Sequence, residues 1–137
     1  MEPIAIAKAN TATNRPDIYK NGLDEITTAT LEFPGGVIAE IKTSFGENIN
    51  FLDITCAKGA IHMSPFSAYS GVKGRSPLGE INHPYEIPWQ QANQMDNDAM
   101  SILKRQPMRV LGEEGLRDIR IVEAIYKAAS SGQRTKV

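Results

Sequence analysis

The stretch from Gly112 to Gly132 (Gly-Glu-Glu-Gly-Leu-Arg-Asp-Ile-Arg-Ile-Val-Glu-Ala-Ile-Tyr-Lys-Ala-Ala-Ser-Ser-Gly) constrains the fold most, because it is the longest unbroken helical pattern in the chain. At about 100° per residue, Leu116, Ile119, Val122, Ile125, Tyr126 and Ala129 share one broad apolar arc, which Ile121 and Ala128 widen. Arg117, Arg120, Glu123 and Lys127 fall on the opposite side. An arc this wide predicts burial against two neighbours, such as a sheet and a second helix. Asp118 lies within the arc, so the pattern predicts a hydrogen bond or ion pair for it. Glu113 and Glu114 stand where the helix dipole favours negative charge, and Gly132 stands where a left-handed cap would stop the helix.

The remainder reads mainly as strands and turns that need such a helix as cover. Residues 3–10 alternate β-branched and small side chains and predict a strand with Ile4 and Ile6 on one face. Residues 11–22 carry loop chemistry. Glu25–Phe33 and Val37–Phe45 form the clearest hairpin signal, with Thr27, Ala29, Leu31 and Phe33 on one side of the first strand. Val37, Ala39, Ile41, Thr43 and Phe45 match them on the second, and Pro34-Gly35-Gly36 makes the turn. A strand at Asn50–Ala57, a Lys58-Gly59 turn and a short strand at Ala60–Met63 follow. Residues 64–88 hold four prolines and three glycines and predict an irregular excursion with one edge strand near Tyr69–Arg75. Pro88 opens a helix running from Trp89 to about Lys104, with Ala92, Met95, Ala99, Ile102 and Leu103 inward. The expected architecture is α+β: an open, mostly antiparallel sheet of five or six strands with both helices on one face. Its other face would carry Thr28, Thr30, Glu32, Glu40, Lys42 and Ser44, either solvated or as a self-complementary dimer face.

A length of 137 residues suits one domain with its own core. The formal net charge of −1 gives no electrostatic case for nucleic acid or an anionic membrane. A single cysteine, Cys56, excludes an internal disulfide; alternating with apolar neighbours, it reads as a small hydrophobe. No apolar run approaches membrane-spanning length. Cytoplasm and, for an exported parent protein, periplasm both stay open.

Residue chemistry assigns no catalytic residue, cofactor ligand or metal ligand. Gly112-Glu-Glu-Gly115 has the spacing of a loop that clamps nucleic-acid backbones, but two carboxylates between the glycines would repel phosphate. Neither a G-x-G-x-x-G after a strand nor a G-x-x-x-x-G-K-[ST] occurs. His62 and His83 lack ligand-like spacing, and His62 reads as a structural or surface residue. The loop Asn82-His83-Pro84-Tyr85 offers hydrogen-bonding groups beside an aromatic ring, so Asn82, His83 and Tyr85 are the substrate-facing candidates, weighed against a purely structural loop. A small catalyst built on His83 lacks a base placed beside a nucleophile.

Several of these stretches resemble a known family. Leu31-Glu-Phe-Pro-Gly-Gly-Val-Ile-Ala-Glu-Ile, Gln94-Met-Asp and the Gly112–Ala129 helix are similar to the C-terminal domain of the glucose-fructose oxidoreductase and inositol dehydrogenase family. Asp53-Ile-Thr-Cys-Ala-Lys-Gly-Ala-Ile is similar to its strand–turn–strand, and Ser131-Gly-Gln-Arg-Thr-Lys-Val to its ending. The resemblance runs from about residue 23 to the C-terminus and is weakest over 64–88. It implies a parent enzyme whose Rossmann domain binds NAD(P) and which exchanges hydride with a sugar or polyol. This domain would then support the substrate site and form a homodimer or higher homo-oligomer through its open sheet face. The family's glycine fingerprint, its Glu-Lys-Pro segment and its Gly-Gly…Asp…His helix are absent from these residues, so no catalytic or cofactor residue transfers. The expectation is a supporting domain that is inactive by itself. The alternative is a free-standing binding or interaction module.

Overall fold

The structure, a computed structural model, describes residues 1–69, 71–84 and 89–137. The chain forms two compact units, one of residues Met1–Ile49 with Leu111–Val137 and the other of Asn50–Val110.

In the first unit, β1 (Ala5–Ala12), β2 (Ile26–Glu32) and β3 (Ile38–Ser44) make an antiparallel meander. A two-residue strand at Thr135–Lys136, numbered β8 in chain order, pairs with Ala5 and Ile6, so the spatial order is β3-β2-β1-β8. The β2–β3 turn follows from its residues. Pro34 fixes one φ, while Gly35 and Gly36 take φ values of 78° and 81° that L side chains avoid. The Phe33 N–H then donates to the Val37 carbonyl oxygen at 2.8 Å. The resulting register sets Ala29 opposite Ile41 and Leu31 opposite Ala39, joining the two predicted apolar faces as one.

Helix α2 (Gly112–Ser131) covers the β1 side of that face, while Val37, Ile41 and Phe45, on and beside β3, stay exposed. Ile6, Ala29, Leu31, Ala124, Ile125 and Ala128 form the buried cluster, with Ala9, Phe33, Ala39 and Ile121 packed around it. Small residues on the helix and the middle strand allow close approach; Ile6, Leu31 and Ile125 supply most of the buried apolar area, each contributing about 1.5–3 kcal/mol. Only half of the predicted arc is covered. Leu116, Ile119, Val122 and Tyr126 remain 42–56% exposed, because the unit provides one neighbour for α2, the sheet, and not two. Asp118 is likewise exposed, so the expected partner is not required. Ile4 precedes β1 and is half-exposed, whereas Ile6 is fully buried.

The helix stops as its sequence predicts. Gly132 has φ 66°, and its N–H donates to the Ala128 carbonyl oxygen at 2.9 Å. A Cβ there would meet nothing within 4 Å, so Gly132→Ala isolates the backbone cost. The expected loss is about 1 kcal/mol in urea unfolding.

In the second unit, β4 (Leu52–Cys56), β5 (Gly59–Met63), β6 (Val72–Ser76) and β7 (Gly79–His83) form a second antiparallel sheet in that order. The α+β class and the antiparallel pairing hold, with the eight strands among the described residues shared between two four-stranded sheets. Within residues 64–88 the structure places a full hairpin. Val72–Ser76 lies between β5 and β7 and is not an edge, because the two residues Pro77 and Leu78 turn the chain straight back into β7. Gly74 permits this pairing, since a Cβ there would strike the His62 carbonyl oxygen. Helix α1 spans Trp89–Lys104, the predicted span; Pro88, its expected opener, lies outside the described residues. The predicted inward face is not buried: Met95, Ile102 and Leu103 are at least 66% exposed. Cys56 is exposed, with Sγ 3.0 Å from the Gly59 carbonyl oxygen, because its side of β4 has no helix over it within the unit.

Candidate functional site

Pairing in the second sheet gathers polar side chains on one face. Asp53 stands opposite His62, His62 opposite Arg75, and Arg75 opposite Glu80. Directly paired residues share a face, so the four form one row across all four strands. Lys73 and Asn82 pair one step along on the same face. Asp53 Oδ1 lies 2.5 Å from His62 Nδ1, with both side chains more than half exposed. A shallow open depression of about 570 Å³ follows this row, bordered by Asp53, Thr55, His62, Arg75, Ser76 and Pro77.

An imidazole engaged through Nδ1 leaves Nε2 free to exchange hydrogen bonds with a ligand. No serine or cysteine pairs with this histidine across the sheet, so the row holds no hydroxyl or thiol nucleophile activated by a paired base. Among the described residues no group of three His, Cys, Asp or Glu is placed to hold a metal ion. Among the described residues no helix is long and apolar enough to cross a membrane.

The candidates read from the sequence are distributed differently. Asn82 stands opposite Lys73 on the polar face of β7, and His83, opposite Val72, faces the other way. Tyr85 lies outside the described residues. The polar row was missed because its members are far apart in the chain. The signal available was alternation: Asp53 with Thr55 and Arg75 with Lys73 are each two apart.

The first unit carries a second concentration of charge. Glu25, 3% exposed, accepts from the backbone N–H groups of Asn14 and Arg15 at 2.9 Å each and from Arg15 Nε at 2.7 Å. Burial pushes this carboxyl up, but the bonds from the Arg15 side chain and the two N–H groups outweigh burial and leave it below its ordinary value. Beside it, hydrogen bonds from Thr27 and Tyr126 hold the Asp24 carboxyl low, and the Tyr126 hydroxyl donates to Asp24 Oδ1 at 2.7 Å. These groups fasten the 13–25 loop to the sheet and to α2. Each of these carboxylate oxygens already accepts from a protein donor, which suits a structural role.

A dinucleotide cofactor requires a strand that runs through a glycine-rich turn into a helix. The glycine-containing turns Pro34–Gly36, Lys58-Gly59 and Leu78-Gly79 all join antiparallel strands instead. The start of α2 carries Glu113 and Glu114 in its first turn and no side-chain cap at Leu111, which opposes a pyrophosphate. The described residues do not fit such a cofactor.

No protein-family model matches the chain. A solved structure does: the aldose-aldose oxidoreductase from Caulobacter crescentus, complexed with glycerol, is similar with a TM-score of 0.83 and 31% sequence identity. The likeness covers 99% of this chain and 42% of that one, so the chain spans less than half the length of its structural neighbour. The chain is similar to a portion of that oxidoreductase, in agreement with the resemblance its motifs bear to the C-terminal domain of the glucose-fructose oxidoreductase family. It is an oxidoreductase-associated domain, as the sequence motifs implied.

Proposed function

We propose that the chain supports the substrate site and the oligomer of an NAD(P)-dependent sugar or polyol oxidoreductase, and that it catalyses nothing by itself. The observation that carries this reading is the neighbour's extent. The neighbour's fold and sequence match 99% of this chain while more than half of the neighbour lies outside the match. The absence of a phosphate cradle among the described residues agrees with a cofactor held elsewhere in the parent. Aldose and glycerol, the molecules named for the neighbour, are both polyhydroxylated, and a row of alternating carboxylate, imidazole and guanidinium groups suits hydroxyl recognition.

The oligomer belongs to the open face of the first sheet. Its register puts Thr28, Thr30, Glu32, Glu40, Lys42 and Ser44 together on the face away from α2, the set expected from the sequence. Such a face is broad and mainly polar, with Ile26 and Ile38 at its two ends, in keeping with a wet interface. Sedimentation equilibrium is expected to show a concentration-dependent dimer. A monomer throughout the accessible concentration range would contradict this part of the reading.

A further inference from the structure

The polar row of the second sheet leaves one charge unmatched at the depression it borders. Asp53 is engaged by His62 at 2.5 Å. Arg75 stands opposite His62 on one side and Glu80 on the other, yet it takes part in none of the ion pairs formed among the described residues. Its exposed side chain borders the depression of about 570 Å³ together with Asp53, Thr55 and His62. That volume falls within the range of small-molecule sites. Among the described residues Arg75 is the one lysine or arginine on its border.

Two kinds of recognition meet across this floor. Asp53 accepts from hydroxyl groups, while His62 Nε2 and the Thr55 hydroxyl exchange hydrogen bonds with them. Arg75 offers a planar fork of donors and a full positive charge. A hydroxyl meets one of those donors and none of the charge, whereas a carboxylate meets two donors in parallel and the charge as well. Strands β4 and β6 lie two spacings apart in the sheet. That is about 10 Å, which a chain of about five or six carbons with its terminal oxygens bridges once the two side chains lean toward it. Asp53 and Glu80 put negative charge on either side of Arg75, so the single charge of a carboxylate suits the row better than the double charge of a phosphate ester.

We infer that this face binds a polyhydroxylated monocarboxylate, a sugar acid, with its carboxylate on Arg75 and a distal hydroxyl on the Asp53–His62 pair. The inference rests on the reading of the row as the hydroxyl-recognising part of the substrate site. It adds the anionic group and the residue that selects it.

The test is titration of the folded chain with gluconate, sorbitol and glucose 6-phosphate, followed by amide chemical shifts. Sorbitol differs from gluconate only in carrying a primary alcohol in place of the carboxylate. Gluconate is expected to bind at least about tenfold more tightly than sorbitol, with the shifts centred on β4, β5 and β6, and the margin should shrink as salt is raised. Arg75→Gln is expected to bring the margin to within about twofold. Arg75→Lys keeps the charge and loses the fork, so its margin should fall between the two. Circular dichroism checks that both variants keep the fold. Equal binding of gluconate and sorbitol, or a margin that survives Arg75→Gln, would overturn the carboxylate inference while leaving the hydroxyl reading standing. Glucose 6-phosphate binding more tightly than gluconate would overturn it in the same way. No response to gluconate or to sorbitol would overturn both readings.

Discussion

Replacing Ile6 by alanine is expected to lower the unfolding free energy by about 3 kcal/mol, within the usual range for truncating a large aliphatic residue in a core. Ile6 is fully buried, lies opposite Leu31 and belongs to the cluster that α2 closes through Ala124, Ile125 and Ala128. That cluster is small, and two of its helix members are alanines, which cannot lean into a vacated space. The cavity should therefore persist instead of collapsing, which puts the cost well above that of the transferred methylenes alone. Ile119→Ala serves as the comparison. Ile119 is the same residue type on the same helix that covers Ile6, but it is 56% exposed, and its loss should stay within about 0.5 kcal/mol. Urea unfolding of the two variants separates the cases. Equal losses would mean that the covered half of α2 is not the half that holds the sheet.

The second large effect concerns Glu25. Alanine at this position leaves the N–H groups of Asn14 and Arg15 without their acceptor and releases the Arg15 guanidinium from its buried partner. The 13–25 loop should detach from the sheet, and thermal unfolding at neutral pH should fall by roughly 5–10 °C. Glu25→Gln keeps the shape and isolates the charge. The folded carboxyl lies below its ordinary value of 4.5, so the native state binds fewer protons than the unfolded state in that range. Its stabilisation is therefore fully present above the unfolded value and disappears as pH falls through the folded one. Asp24 is lowered in the same sense, by hydrogen bonds from Thr27 and Tyr126. The wild-type chain should lose stability on acidification through about pH 4.5 and below, and Glu25→Gln should show a shallower loss over that span. A wild-type profile parallel to that of Glu25→Gln would show that the Arg15–Glu25 contact contributes no charge-dependent stability.

Much of the first unit was legible in the sequence because its signals are local. The Pro34-Gly35-Gly36 turn fixes the hairpin register, and that register alone decides which side chains of β2 and β3 face α2. The Gly132 cap is as local, since it needs only one residue able to take positive φ. Burial was less legible. Periodicity shows which helix residues could be covered and not whether a neighbour exists, so Leu116, Ile119, Val122 and Tyr126 were expected inside yet stand largely exposed. The same holds for Met95, Ile102 and Leu103 on α1.

Non-local pairing was least legible. β8 is two residues long and exists because β1 offers a free edge to the returning C-terminus. The β6–β7 hairpin was hidden by prolines that read as disorder of pattern, although Pro77 occupies the turn itself. The row Asp53–His62–Arg75–Glu80 follows from pairings on three successive strand junctions, none of which composition or spacing specifies. Family likeness supplied what the residues could not, and the solved neighbour agrees with it over 99% of the chain.

The central claim is that this chain supports an oxidoreductase whose cofactor is bound by other residues of the parent. Titration of the chain with NAD(P) and with its reduced form by calorimetry tests it most directly. No saturable heat is expected in either titration at concentrations where the chain is folded. Saturable micromolar binding would contradict it and would place a dinucleotide site within these 137 residues.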